Sequence, residues 1–185
     1  MTADVLKDAQ AKMERAVAAL RSELHGLRAG RASPALLERI RVDYYGHPTP
    51  VQQLATITTP DPRTLVIQPW DKNVASAIEK AIQKSDLGLT PQTEGGVIRL
   101  NLPPLTTERR NELIRHVRKL AEDQRVVIRN VRREAREQLE RAERAGEVGS
   151  DAARRALDEL QRLTDRMMAE IGREVEAKER EIAEV

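Results

Sequence analysis

The sequence predicts an α+β protein of two domains, in which a long antiparallel three-helix bundle carries a small inserted α/β domain of β-α-β, sandwich-like character. Three observations predict this class. Apolar residues recur at helical spacing near the N-terminus and again through the C-terminal half, strand-like runs separate the two regions, and no proline occurs after Pro104. Three amphipathic helices in one chain can bury one another's apolar stripes, which one helix alone cannot do.

The first predicted helix covers residues 3 to about 28. Its apolar stripe repeats every seven residues, at Leu6, Met13, Leu20 and Leu27, with Val17 and Leu24 at the offset positions. The helix is expected to stop at Gly30, because the following Ser33 precedes Pro34 and is biased toward extended geometry.

The insert is predicted from short β-type runs and turn residues between residues 38 and 102. Turn signals stand at Gly46-His47-Pro48 and at Pro60-Asp61-Pro62, and glycines and prolines recur from Gly88 to Gly96. The expected elements are strands at 40–45, 65–67 and 97–102 and a short helix at about 73–85.

The C-terminal half is predicted to form two long helices. Pro103 and Pro104 cannot donate backbone hydrogen bonds and mark the boundary, and Thr106 is a suitable N-cap for the helix that follows. The glycines at 146 and 149 give the one plausible break, which leaves helices of about 40 and 34 residues.

The domain boundaries follow from these elements. Residues 1–30 and 105–185 are expected to form the bundle domain, and residues 31–104 the inserted domain. A domain joined through two short crossings can rotate about them, so a hinge is expected near 29–31 and 102–105. The hinge residues are Gly30, Arg31, Leu102, Pro103, Pro104 and Leu105.

The most specific functional signal is a row of arginines in the second long helix. At about 100° per residue, Arg118, Arg125, Arg129, Arg132 and Arg136 fall within roughly 60° of one another. A separate apolar stripe is expected through Val117, Leu120, Val127, Val131 and Ala135, which leaves the arginines clear of the core. Guanidinium groups in such a row suit a series of phosphates, so the pattern indicates RNA binding.

Composition narrows the remaining function classes. The 32 basic and 30 acidic residues nearly cancel, so only their local arrangement points to a polyanion. With no Phe, one Trp and two Tyr, an aromatic base-stacking platform is not expected. The chain has no cysteine, and His25, His47 and His116 are scattered, so neither a metal nor another cofactor is expected. Because the N-terminal segment is charged, neither a signal peptide nor a membrane span is expected there.

Catalytic motifs are absent from the sequence. It contains no phosphate-binding glycine loop followed by Lys and Ser or Thr, no HExxH, no Gly-x-Ser-x-Gly and no cysteine nucleophile. The chain is therefore expected not to be an enzyme.

Several of these patterns leave an alternative open. The arginine row could be a solvated helix face paired at (i, i+4) with Glu122, Glu137 and Glu140. Arg28 and Arg31 could stabilise the end of the first helix as cations, as well as touch RNA. Strand alternation would place Tyr44 and Tyr45 on opposite faces, so one is expected to pack in the small domain and the other to be partly exposed. Trp70 is expected to serve packing.

Six motifs occur in order along the chain. They are Leu27-Arg28-Ala29-Gly30-Arg31-Ala32-Ser33-Pro34, Tyr44-Tyr45-Gly46, Pro62-Arg63-Thr64-Leu65, Asp86-Leu87-Gly88-Leu89-Thr90-Pro91, Leu102-Pro103-Pro104-Leu105-Thr106 with Glu108-Arg109-Arg110, and Val127-Ile128-Arg129-Asn130-Val131-Arg132-Arg133. Together these motifs resemble one known family, the bacterial ribosome recycling factors. The resemblance covers essentially the whole chain, and two small departures lie at Ala29, where the family often has Thr, and at Thr90, where it often has Asn.

The resemblance implies an L-shaped, tRNA-sized, cytoplasmic and monomeric protein that binds the large subunit of the post-termination ribosome. With GTP-bound elongation factor G, such proteins split the ribosome into subunits. In family members, the arginines that match Arg129 and Arg132 contact ribosomal RNA of the large subunit. The complete set of candidate RNA-binding residues is Arg132, Arg129, Arg133, Arg125, Arg136, Arg118, Arg28 and Arg31.

A rival hypothesis is a helical RNA-binding adaptor or RNA chaperone that does not act in recycling. Such a protein would keep an exposed apolar stripe for a partner helix, and the inserted domain would have no explanation. Stable self-association in dilute solution would favour the adaptor, and a monomer would favour the recycling factor.

Overall fold

The computed structural model describes residues 1–27 and 30–185 and contains four α-helices and six strands. It divides into two compact units, the bundle unit (Met1–Arg28 and Glu108–Ala183) and the insert unit (Ala29–Thr107 with Glu184–Val185). In chain order the elements are α1 (Thr2–Gly26), β1 (Arg41–Tyr44), β2 (His47–Pro50), β3 (Ala55–Asp61), β4 (Thr64–Pro69), α2 (Ala75–Gln83), β5 (Gln92–Glu94), β6 (Val97–Asn101), α3 (Thr107–Arg144) and α4 (Ser150–Ala183).

The bundle unit consists of α1, α3 and α4, as the spacing of the apolar residues predicted. Arg118 of α3 reaches Glu179 of α4 and Arg132 reaches Gln161, so α3 and α4 run antiparallel. Arg21 of α1 bonds Glu174 of α4, and the end of α1 meets Lys178, so α1 and α4 run parallel. The largest fully buried side chains in this unit are Met13, Leu20, Ile128, Leu139 and Leu160.

The connection from α3 to α4 is a glycine-terminated helix end. Gly146 has a φ of +74°, its amide donates to the carbonyl of Glu143 at 3.0 Å, and the amide of Glu147 donates to Ala142 at 2.9 Å. This pair of bonds is the Schellman arrangement, which requires a residue in the left-handed region directly after the helix. The break predicted at Gly146 and Gly149 is confirmed, and α3 and α4 contain 38 and 34 residues.

The insert unit contains two antiparallel sheets and the helix α2. Strands β1 and β2 form a hairpin, and the larger sheet has the order β3-β4-β6-β5. Alternate residues of β4 and β6 face the core, which includes Leu65, Ile67, Ile98 and Leu100. Helix α2 packs against β1 and β6. The fold class predicted from the sequence, a helical bundle with a small α/β domain, is confirmed.

Two turns of the insert unit differ from their prediction. The β1–β2 turn is formed by Tyr45 and Gly46, with φ values of +51° and +84°, so His47 and Pro48 already belong to β2. Two successive residues with positive φ give the turn whose twist matches a two-residue hairpin. Pro60 and Asp61 similarly belong to β3. Proline is tolerated at these sites because each strand lies at a sheet edge.

The ends of the insert unit are both fixed to the turn between β3 and β4. The amide of Ala32 donates to the carbonyl of Pro62 at 2.7 Å, and the amide of Leu102 donates to the adjacent carbonyl of Arg63, also at 2.7 Å. Asp61 stabilises the same turn by accepting hydrogen bonds from the amide of Arg63 and the hydroxyl of Thr64. Chain entry and chain exit therefore lie side by side in this unit.

The apolar stripe of α3 is rotated relative to its prediction. Val127 was expected in the core but is 41% exposed, and the neighbouring Ile128 is fully buried instead. The buried set is Leu113, Val117, Ala121, Ile128, Val131, Ala135, Leu139 and Ala142. Two other helices cover this one, so the buried surface is wider than a single stripe, and pattern alone places its centre poorly.

Two valine-to-alanine substitutions test which face of α3 is buried. We expect Val117→Ala to lower the free energy of unfolding of the bundle unit by about 2 kcal/mol, because two buried methyl groups are lost. The matched Val127→Ala should change it by about 0.5 kcal/mol or less, because that side chain is exposed. Urea denaturation followed by helical circular dichroism measures both, and equal losses would contradict the assignment.

Candidate nucleic-acid interface

The predicted arginine row lies on α3 in the bundle unit, on the flank next to α4. Arg118, Arg129 and Arg136 are exposed, as expected. Arg125 and Arg132 are half-buried, so the expectation that the whole row stands clear of the core is wrong for these two. The rotated apolar stripe explains the difference, because it brings Ala121 and Ile128 next to them.

Every arginine of the row contacts an acidic or amide side chain. Arg136 pairs with Glu140 at 2.8 Å, the (i, i+4) contact considered from the sequence. Glu137, in contrast, makes no side-chain ion pair with any residue that the structure describes, and its backbone carbonyl accepts a hydrogen bond from Arg141 at 3.3 Å. The alternative that the row is a solvated, ion-paired face is therefore partly correct for the uncomplexed chain.

Two of the partners come from α4 and could not be found by spacing within α3. The Nε of Arg118 donates to Glu179 at 2.8 Å, and a terminal nitrogen of Arg132 donates to the side-chain oxygen of Gln161 at 3.3 Å. The amide nitrogen of Gln161 in turn donates to Asp165 at 2.9 Å. These contacts orient the guanidinium groups along the α3–α4 border.

Glu122 has a different arrangement, because one carboxylate faces two arginines. Its Oε2 lies 3.6 Å from a terminal nitrogen of Arg125, and its Oε1 accepts a short hydrogen bond from Arg129. The hydrogen bond and charge of Arg129, with the charge of Arg125, lower the pKa of the Glu122 carboxyl, which is therefore ionised at neutral pH. The sequence showed Glu122 only as an (i, i+4) partner of Arg118.

A shallow groove follows this part of the α3–α4 border. Arg118, Glu122 and Arg125 line it from α3, and Gly172, Val175, Glu176 and Glu179 line it from α4. The lining therefore combines basic, acidic and apolar residues. Such a surface can take a phosphate only if an acidic side chain moves away or its charge is neutralised.

Arg133 is the one candidate on α3 without such a contact. It is exposed, and among residues 1–27 and 30–185 it makes neither an ion pair nor a side-chain hydrogen bond. Its guanidinium therefore needs no exchange of partners before it binds a phosphate. Of the remaining candidates, Arg28 lies outside the described residues, and Arg31 belongs to the insert unit, where it stands 4.0 Å from Glu184.

The aromatic residues of the insert unit differ in their environment. Tyr44 packs against the core and Tyr45 is 75% exposed, as expected of the pair, and the two rings meet edge-on at 4.6 Å between centroids. The cause is the end of β1 at Tyr44, which places Tyr45 in the turn, and not alternation along a strand. Trp70 is 67% exposed, and its indole N–H donates to the Thr56 hydroxyl, so its expected packing role is wrong.

Across residues 1–27 and 30–185, no three potential metal ligands of the His, Asp and Glu type cluster together. In the same part of the chain, none of the helices combines the length and apolar character that crossing a bilayer requires.

Comparison with known proteins agrees with this architecture and gives the class of protein. Residues 20–183 match the family described as ribosome recycling factor. The ribosome-recycling factor of Symbiobacterium thermophilum is 52% identical over 185 residues, which cover 100% of both chains. That of Halalkalibacterium halodurans is likewise 52% identical over 185 residues, with 100% of both chains covered.

Solved structures point the same way. A solution structure of the ribosome recycling factor is 48% identical, with a TM-score of 0.67 over 100% of this chain and 98% of the other. Models of the T. thermophilus ribosome recycling factor and E. coli elongation factor G bound to the E. coli post-termination complex include a chain that is 46% identical, with a TM-score of 0.60 and 98% of both chains covered. This chain belongs to the ribosome recycling factor family.

Proposed function

We propose that this protein recycles ribosomes in the cytoplasm. It binds the large subunit of the post-termination ribosome and, together with GTP-bound elongation factor G, promotes separation into subunits for a new round of translation. The observation that carries this proposal is the 52% identity to recycling factors along the whole chain. A similar chain placed with elongation factor G on a post-termination complex supports the choice of partners.

The proposed contact with ribosomal RNA is the α3 face formed by Arg118, Arg125, Arg129, Arg132, Arg133 and Arg136, which we call the arginine face. A helix held on its other sides by α1 and α4 presents these groups on a rigid support. Each guanidinium offers a planar fork of donors to phosphate oxygens. Because phosphate contacts fix position rather than read sequence, this face would set where the bundle lies on the RNA.

The protein itself performs no covalent step in this proposal. GTP hydrolysis belongs to the partner, and the recycling factor contributes binding and shape. The absence of cysteine and of the nucleotide-binding and hydrolase motifs from the sequence supports a non-enzymatic role.

The proposed movable part is the neck between the bundle domain (residues 1–30 and 105–185) and the inserted domain (residues 31–104). Ala32 and Leu102 are fixed to the turn at Pro62 and Arg63, so rotation is expected just beyond them, at Gly30–Arg31 and at Pro103–Leu105. Gly30 has a φ of +71°, and a β-carbon there would lie 2.7 Å from a methyl group of Leu105. Both properties suit a residue at a narrow joint.

The experiment that tests the function is light scattering of post-termination ribosomes mixed with the protein, elongation factor G and GTP. We expect scattering to fall only when all three additions are present, because splitting reduces particle mass. Elongation factor G from the same organism should be used, since the two surfaces must match. Ribosome binding without any fall in scattering would instead favour the RNA-binding adaptor.

Removal of one arginine tests the proposed RNA contact. We expect Arg132→Ala to weaken ribosome binding by about 1 to 3 kcal/mol, the usual value of a charge-assisted hydrogen bond. The slope of log affinity against log salt should also become shallower by about 1, because one phosphate contact is lost. The control is Arg141→Ala, an exposed arginine of the same helix outside the arginine face. Equal effects of the two variants would contradict the assignment.

Two glycine substitutions test the neck. Gly30→Val should impair splitting more than binding, because the added side chain meets Leu105 and forces a strained backbone. Gly146→Val is the matched control, since Gly146 also has positive φ but ends α3 and has open space around it. Scattering amplitudes and ribosome pelleting separate the two activities. A similar loss of splitting in both variants would refute a specific role of Gly30.

A further inference from the structure

Acidic side chains already contact most of the arginines that an RNA phosphate would bind. In the uncomplexed chain, Arg118, Arg125, Arg129 and Arg136 each face a carboxylate. An RNA phosphate can bind these guanidinium groups fully only after that carboxylate has moved away. RNA binding is therefore an exchange of one anion for another, and the acids compete with the RNA.

Glu122 is best placed to compete. Its two oxygens face two arginines, one on Arg125 and one on Arg129, which is how the two non-bridging oxygens of a phosphodiester can bridge neighbouring guanidinium groups. The carboxylate of Glu122 thus imitates a bound phosphate.

The surroundings of Glu122 also allow it to leave. Its side chain is 53% exposed, and both its partners lie on its own helix. Glu179, in contrast, is 26% exposed and joins α4 to α3 through Arg118, so its movement would break a contact between helices. Glu140 serves a single arginine and is 35% exposed. Displacement of Glu122 would therefore break no contact between helices.

We propose that Glu122 is an affinity-setting residue of the RNA interface, whose carboxylate occupies in the uncomplexed protein the place between Arg125 and Arg129 that an RNA phosphate takes in the complex. This inference rests on the proposed function of the arginine face. Internal competition lowers the affinity for any RNA by the same factor. RNA that contacts only a few of the arginines then dissociates readily. Stable binding requires an RNA surface that contacts many of them at once.

The test uses Glu122→Gln, which removes the charge and keeps the size of the side chain. The probes are a single-stranded uridine oligonucleotide, as generic RNA, and post-termination ribosomes. We expect both dissociation constants to fall by about fivefold at moderate salt, the size expected when two exposed ion pairs need not be broken. The control Glu134→Gln changes net charge equally on the same helix but frees no arginine, and it should change either constant by less than about twofold.

A variant lacking both arginines separates a local effect from a general charge effect. In an Arg125→Ala, Arg129→Ala background, adding Glu122→Gln should tighten binding no more than Glu134→Gln does, because no guanidinium remains to be released. An undiminished fivefold gain in that background would overturn the proposal and leave only general repulsion. Circular dichroism and the thermal midpoint of each variant check that the bundle is intact.

Different results would refute the role of Glu122 and the role of the arginine face. If Arg125→Ala and Arg129→Ala weaken ribosome binding but Glu122→Gln behaves like Glu134→Gln, then the interface stands and competition by Glu122 is refuted. If the two arginine substitutions leave ribosome binding unchanged, this part of the interface is refuted and the proposal for Glu122 falls with it.

Discussion

The bundle unit depends on the mutual burial of three apolar stripes that are distant in sequence. The side chain of Lys178 donates to the carbonyl of Leu27, 151 positions away, and thereby satisfies a backbone group beyond the end of α1. Lys178 is itself 8% exposed and pairs with Glu181, so its charge remains compensated within the unit. Because α1 supplies one of the three walls, α3 and α4 alone would expose part of their apolar surface. The arginine face is rigid only as long as that packing is complete.

Local chemistry made much of this fold predictable from sequence. Gly146 identifies the break between α3 and α4 because the helix end needs left-handed backbone there, and heptad spacing identifies α1 because one face must be apolar. Other features depend on partners that no local pattern reveals. Val127 and Ile128 are equally apolar neighbours, and only the positions of α1 and α4 decide which one is buried. Likewise, Pro60 and Pro48 look like turn residues until the edge position of their strands is known.

In the candidate interface, too, some contacts follow from local sequence and others depend on distant partners. Arginine spacing within α3 could be calculated from the geometry of a helix, and so could the contact between Arg136 and Glu140. The contacts of Arg118 with Glu179 and of Arg132 with Gln161 required the alignment of two helices. These contacts also agree with a net charge of only +2, because neighbouring acids compensate the charge of the arginines.

The paired hydrogen bonds at Pro62 and Arg63 hold the two ends of the insert unit together. Since Ala32 and Leu102 bind adjacent carbonyls, the loop that this unit forms in the chain is closed by contacts within the unit itself. The entropy lost in bringing the two ends of the insert together is then offset by the strands and the core of the insert. The packing of α1 against α3 does not have to offset it. An element organised in this way behaves as a cassette, whose sequence can diverge or change length in its outer turns without altering the register of the helices that flank it.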